Sequence, residues 1–210
     1  MDISKHCVTD FVPDDKPLLD GLLAVRSPNG DVHERAMPGD HTKHGWWKNM
    51  VGRYAMAAKF ATRDDRIVDA CTGYGWGAWL LHTMTGAPVR AIDNDEQAIA
   101  YANVSWPGPT YYVADCLQWM PSCDLVCAME TMEHLEDEQA VMLIEMIKRT
   151  GCKTAVLSSI FPEVSRPAPP TSPSHKRLFS RDEIRTMFGD DWDVWFTIDS
   201  FVAVAVRKMI

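Results

Sequence analysis

Short apolar runs of strand length alternate with segments of helical period through the middle of this chain. RIVDA, WGAWLLHTM, VRAID, DEQAIAYAN, TYYVAD, CDLVCAM, DEQAVMLIEMIKR and KTAVLSSI follow one another from Arg66 to Ile160. Strands separated by helices need crossover connections, which build a mostly parallel sheet with helices on both faces. The tail adds SRDEIRTMF as a helix and then DVWFTID and SFVAVAVRK, close enough in sequence to form a terminal hairpin. The expected fold is therefore α/β, a doubly wound, mostly parallel sheet of seven strands with an antiparallel C-terminal strand.

Before the first strand, WWKNMVGRYAMAAKFAT places Trp47, Met50, Val51, Tyr54 and Ala58 at helical spacing, which predicts an amphipathic helix from Trp46 to about Thr62. Residues 1–45 carry the turn signals PDDKP, SPNGD and MPGDH without a sustained period, and are expected to form an extended N-terminal arm before a single domain over 46–210. The length of 210 residues suits one such domain, and 46% hydrophobic against 24% charged residues suits a globular core. Lys+Arg at 21 against Asp+Glu at 29 leaves a net charge of −8, which argues against unaided binding of extended nucleic acid. Six cysteines without a CxxC pair, an N-terminus lacking an apolar h-region, and no apolar run of bilayer length point to a reduced, cytoplasmic protein outside the membrane.

In RIVDACTGYGWGAWLL a strand runs into Gly73, Gly75 and Gly77 and then into a helix. Glycines there allow a tight turn and let a ligand lie against the backbone. As GxGxxG/A the segment also fits a dinucleotide fingerprint, with Asp93 ending the next strand. Three acids distinguish the readings. Asp69, Asp93 and Asp115 each stand at or near the end of a strand, and a ring of carboxylates at one sheet edge repels a pyrophosphate. It is complementary to a ligand with a cationic centre, ribose hydroxyls and an adenine amine, and S-adenosylmethionine has all three.

On these residues the chain resembles the class I S-adenosylmethionine-dependent methyltransferases, from about Arg53 to the C-terminus. The likeness rests on RYAMAAKF, VDACTGYGWGA, AIDNDEQAIAYA and VADC. It implies a Rossmann-like fold with Gly73 and Gly75 under the methionine and ribose, Asp93 on the ribose hydroxyls, and Asp115 with the Cys116 backbone framing the adenine. Tyr54, Asp69, Cys71, Thr72, Asn94 and Met129 join them as implied cofactor contacts, and Arg53 and Tyr54 are placed to reach the methionine carboxylate. Where the family usually has a first glycine, this chain has Cys71 or Thr72, depending on alignment.

After CDLVCAM come Glu130, Thr131, Met132, Glu133, His134 and Leu135. A helix beginning at Glu130 would set Glu130, Glu133 and His134 on one face, a platform for a metal ion. His175, at the end of the proline-rich connection PEVSRPAPPTSPSHKR, is the candidate fourth ligand, in a long loop expected near the site. Glu130, Glu133, His134 and His175 resemble the metal ligands of the RNA 3′-terminal ribose 2′-O-methyltransferases, and the ubiquinone-pathway catechol O-methyltransferases share a related ExxEH segment. The resemblance implies a divalent ion, manganese or magnesium, and the mixed nitrogen and oxygen donors suit manganese, iron, cobalt or zinc better than magnesium. Without an ion, His134 or His175 would serve as general base.

The expected activity is O-methylation of a hydroxyl in a vicinal diol or catechol, on a small molecule, a sugar or a terminal ribose. The protein is expected to act alone, as a homo-dimer or with a partner subunit. Two other readings stay open: a nicotinamide-dependent oxidoreductase on the same sheet, and a non-catalytic cofactor-binding subunit. His6, His33, His41, His44 and His82 have no motif partner and are read as surface or core residues; Trp46, Trp47 and Trp76 fall in segments expected near the cofactor.

Overall fold

The computed structural model describes residues 1–28, 30, 36–163, 166–167 and 174–208. The core sequence folds as its periodicity dictates. Strands β1 (Ile67–Ala70), β2 (Val89–Asp93), β3 (Thr110–Val113), β4 (Leu125–Met129) and β5 (Thr154–Ser158) run parallel. A two-residue ladder pairs β6 (Arg166–Pro167) with β7 (Arg177–Leu178) outside the main sheet. The terminal hairpin, β8 (Trp192–Phe196) and β9 (Val202–Arg207), adds to the sheet through β9, which runs antiparallel to both β5 and β8. The strand order is β3-β2-β1-β4-β5-β9-β8.

Strands β4 and β5 are buried along their whole length because helices cover both faces. The alternation of side chains divides the core in two. Ile67, Leu125, Cys127, Val156 and Val204 face α2 (Trp47–Ala58), α3 (Trp76–Thr85) and α4 (Glu96–Ser105). Val68, Val126, Ala128, Leu157 and Ala205 face α5 (Asp137–Arg149) and α6 (Arg181–Phe188). Local chemistry sets the helix ends: the Asp95 carboxylate accepts from the backbone N–H groups of Gln97 and Ala98, and Ser180 with Glu183 forms a capping box at α6. Gly77 lets α3 approach α2, since a Cβ there would lie 2.0 Å from the Tyr54 ring. Among the described residues no helix is long and apolar enough to cross a membrane.

The N-terminal segment departs from the expected extended arm. It contains 3-10 turns at Ile3–Lys5, Val8–Phe11 and Pro38–His44 and a helix, α1 (Lys16–Ala24), capped by the Asp15 carboxylate on Leu18 N–H. Ile3, Val8, Leu22 and Met37 are buried in the same core as α2. Backbone groups tie it to the β8–β9 turn: Val8 N–H donates to the Asp199 carboxylate and Ile198 N–H to the His6 carbonyl. Leu18, Leu19, Leu22 and Leu23 recur at helical spacing over this one short stretch between turn signals, and α1 places Leu22 in the core. Part of the SPNGD turn and His33 lie outside the described residues, as do residues 164–165 and 168–173 of the proline-rich connection.

Candidate active site

A cleft of about 620 Å³ opens at the carboxyl ends of β1 to β4. That position follows from topology, because chain connections leave β1 toward β2 on one side and β4 lies on the other, which parts the loops above them. Tyr54, Cys71, Thr72, Gly73, Asp93, Asn94, Asp115, Cys116 and Met129 all line it, and so do Glu130, Glu133, His134 and His175. One hollow therefore gathers the cofactor residues and the carboxylate–histidine cluster named from sequence.

Within the glycine loop the left-handed residues are Cys71 (φ 58°), Gly73 (φ 55°) and Gly75 (φ 81°). Cys71, not Thr72, thus occupies the backbone position that suits a glycine, at a cost of roughly 1 kcal/mol. Gly73 N–H donates to Asp93 Oδ2 at 2.8 Å and Asp95 N–H donates to Asp93 Oδ1 at 3.0 Å, so Asp93 locks the loop to the end of β2. Asp115 accepts from Leu117 N–H at 2.9 Å and from the Gln118 amide at 3.0 Å. A Cβ at Gly75 would stand 2.6 Å from Ala102 and 2.7 Å from the Tyr111 ring, so close packing of α4 and β3 excludes a side chain there.

Asp69 also lies behind the cleft rather than on its edge. Parallel register pairs it with Ala91 and Cys127, which sets it back from Asp93 along the sheet. It is fully buried and accepts from the Thr72 hydroxyl at 2.6 Å and the Tyr54 hydroxyl at 3.5 Å. Burial pushes its carboxyl up to about 7 despite those donors. In the unfolded chain the same group ionises near 3.8. The folded state therefore holds a proton that the unfolded state has lost, and stability declines as pH rises through that window, levelling above about 7. Relative to Asp69→Asn, the wild-type chain is expected to lose on the order of 3 kcal/mol between pH 5 and pH 8. Urea unfolding of both proteins at the two pH values measures it, and parallel pH curves would refute the assignment.

The segment after β4 is not the helix expected from Glu130. Glu130 itself is left-handed (φ 52°), and one 3-10 turn spans Met132–His134. The break turns Glu130 away from the other ligands: its Oε1 pairs with Arg53 Nη1 at 2.8 Å and accepts from the Ser158 hydroxyl at 3.1 Å. Glu133, His134 and His175 do come together, with one donor atom of each within 4.8 Å of the others. Lys176 N–H donates to the Glu133 carbonyl at 2.7 Å and so anchors the returning loop, bringing the His175 ring to 5.0 Å from that of His134. Glu133 is buried, and burial followed by the nearby Glu130 charge raises its carboxyl well above the usual range. Glu133 Oε2 and His175 Nδ1 are buried without hydrogen-bond partners. Buried polar atoms without partners are costly, and two of them facing a third donor suit a cation.

Arg53 is the other buried charge here. Its side chain is 3% exposed, lies 5.4 Å from the Trp46 ring centre and 5.9 Å from that of Phe201, and its Nε and Nη2 have no partner. Trp46, Trp76, Tyr74 and His41 complete the walls, whereas Trp47 does not reach them. His41 had no motif to mark it; the turn at Pro38–His44 carries it there. Beyond the Arg53–Glu130 ion pair, Asp93 and Asp115 line the hollow with no further lysine or arginine among its described lining residues, which biases it toward cations.

No protein-family model and no curated protein matches the chain. Solved structures do. A magnesium protoporphyrin IX methyltransferase (ChlM) from Synechocystis PCC 6803 with bound SAM matches at a TM-score of 0.57 and 20% identity over 74% of this chain and 76% of that one. The DhpI–SAH complex matches at 0.60 and 16%, covering 81% and 89%. The small RNA methyltransferase HEN1 matches at 0.59 and 18% over 75% of this chain, which spans 25% of HEN1. The sheet order, the flanking helices and these likenesses establish the Rossmann-like fold of the class I S-adenosylmethionine-dependent methyltransferases.

Proposed function

We propose that this protein is an S-adenosylmethionine-dependent O-methyltransferase that uses a divalent ion to methylate one hydroxyl of a vicinal diol. The observation that carries the reading is that Glu133, His134 and His175 converge to within 4.8 Å while lining the same cleft as Asp93 and Gly73. The sheet supports it over a nicotinamide oxidoreductase, because antiparallel β9 sits between β5 and β8, unlike the 3-2-1-4-5-6 order of dinucleotide-binding domains.

In this reading Asp93 takes the ribose hydroxyls, Asp115 and the Cys116 backbone frame the adenine, and the free donors of Arg53 take the methionine carboxylate. Tyr54, Thr72, Asn94 and Met129 close around the cofactor. Glu133, His134 and His175 hold the ion, and Glu130 completes the set when Arg53 exchanges it for the cofactor carboxylate. A divalent ion held by these residues would supply Lewis-acid activation of the acceptor hydroxyl, and the cleft around it would orient that hydroxyl for in-line attack on the sulfonium methyl. The acceptor hydroxyl would release its proton to solvent, its oxygen would gain the methyl as the carbon–sulfur bond breaks, and S-adenosylhomocysteine would leave with the sulfur electron pair. The buried carboxylates exclude polyanions, so the acceptor is a small diol, a sugar or the ribose at an RNA terminus rather than extended nucleic acid.

The test is S-adenosylhomocysteine release with catechol, sugar and 3′-terminal ribose acceptors, in manganese, in magnesium and after chelation. Release with at least one acceptor that stops on chelation and returns with manganese supports the reading. Full activity in a metal-free sample removes the ion and leaves His134 or His175 as the base.

A further inference from the structure

Two cysteines without a shared motif meet on the wall of this cleft. Cys71 Sγ and Cys116 Sγ are 3.3 Å apart. Cys71 follows β1 and Cys116 lies beyond β3, and those strands flank β2 on opposite sides. A bond between the two sulfurs would therefore span the end of β2, where Asp93 holds the glycine loop. Both cysteines line the cleft, Cys71 half-buried and Cys116 buried.

We propose that Cys71 and Cys116 form an oxidisable dithiol whose disulfide closes the cofactor site. A disulfide needs a sulfur separation of about 2.05 Å, so the two loops must draw in from 3.3 Å. In this proposal the shift falls on the Cys71 loop, where Cys71 is half-buried, while Cys116 is buried in the sheet's second core. Moving that loop displaces Gly73 N–H from Asp93 and narrows the hollow where both would contact the cofactor.

With oxidised glutathione as the oxidant, a Cys71 thiolate attacks one glutathione sulfur, giving a mixed disulfide and one glutathione thiolate. Cys116, as thiolate, then attacks Cys71 Sγ and expels the second glutathione. The two cysteines lose two electrons, the oxidant gains them, and the two thiol protons end on the released glutathiones. The hydrogen bond to Cys116, then burial, raises the Cys71 thiol well above its usual pKa, so the thiolate fraction is small and the first attack is slow. Linkage makes the effect reciprocal: a cofactor that binds the dithiol form better than the disulfide protects the dithiol by the same factor.

The gating rests on the cofactor reading above; formation of the disulfide does not. The full-length protein is incubated with excess oxidised glutathione, with and without saturating S-adenosylhomocysteine, then analysed by non-reducing peptide mapping and calorimetry. The expected result is a Cys71–Cys116 crosslink, S-adenosylhomocysteine affinity weakened about tenfold or more and restored by dithiothreitol, and crosslinking slowed by bound S-adenosylhomocysteine. Cys116→Ser is expected to stop at a Cys71–glutathione adduct, and the double variant Cys71→Ser/Cys116→Ser, whatever its own affinity, to bind equally before and after the oxidant. Glutathione adducts without the crosslink in the wild-type chain overturn the proposal, as does a crosslink that leaves affinity unchanged. If the reduced protein fails to bind S-adenosylhomocysteine, the cofactor reading falls and the gating with it, while the peptide map still shows whether the bond forms.

Discussion

Asp93→Ala is expected to weaken S-adenosylhomocysteine binding by about 100-fold, the loss of roughly 3 kcal/mol from two charge-assisted hydrogen bonds to ribose hydroxyls. The magnitude has two sources. The carboxylate is the proposed partner of the ribose, and it also holds Gly73 N–H at 2.8 Å, so its removal releases the loop that shapes the floor of the cleft. Asp93→Asn keeps one carbonyl oxygen in place and should lose about tenfold, because a neutral acceptor makes a weaker bond. Calorimetry on both variants, with circular dichroism to verify folding, measures the series. Affinity within threefold of wild type for the Ala variant would remove Asp93 from the cofactor site.

Glu133→Gln and His175→Ala are each expected to lower manganese affinity by at least about 100-fold, more than the 10- to 100-fold typical of losing a group that only supports a ligand. Methyl transfer should fall in parallel, while S-adenosylhomocysteine affinity stays near wild type, because neither side chain belongs to the proposed cofactor contacts. That separation is the informative part. A general defect in folding would weaken cofactor and metal together, whereas loss of one ligand weakens the metal alone. Manganese binding followed by electron paramagnetic resonance reads the first quantity and calorimetry the second. Unchanged manganese binding in both variants would leave the Glu133 and His175 donors without the ion proposed for them.

The strands and helices of the domain were legible because their signal is local. LVCAM is apolar at every position, which suits a strand covered on both faces, and EQAVMLIEMIKR repeats at the helical period. Asp93, Asp115 and Gly73 were legible for a related reason: a ligand-binding edge lies at the ends of parallel strands, and those ends can be counted from the sequence. The N-terminal helix carried a weaker local signal, Asp15 as cap with Pro17 in the first turn, which was outweighed by the surrounding turn residues.

Other features depended on neighbours distant in the chain. Asp69 looks like Asp93 in sequence, and only the register against Ala91 and Cys127 places it behind the cleft as a buried, proton-holding brace. Glu130 reads as part of a helical ligand set until Arg53, from a helix before the sheet, draws it away. The contact between Cys71 and Cys116 crosses 45 positions and two strands, so no spacing rule could announce it.

The sequence by itself determined the α/β fold, the order of its elements and the residue types gathered at the carboxyl edge, because hydrophobic period and strand-end position are properties of short segments. Tertiary structure alone decided which acids face the cleft, that Glu133, His134 and His175 converge without Glu130, and that two thiols touch. Those outcomes turn on a few ångströms of register and loop path, set by strand pairing and burial between segments far apart in the chain.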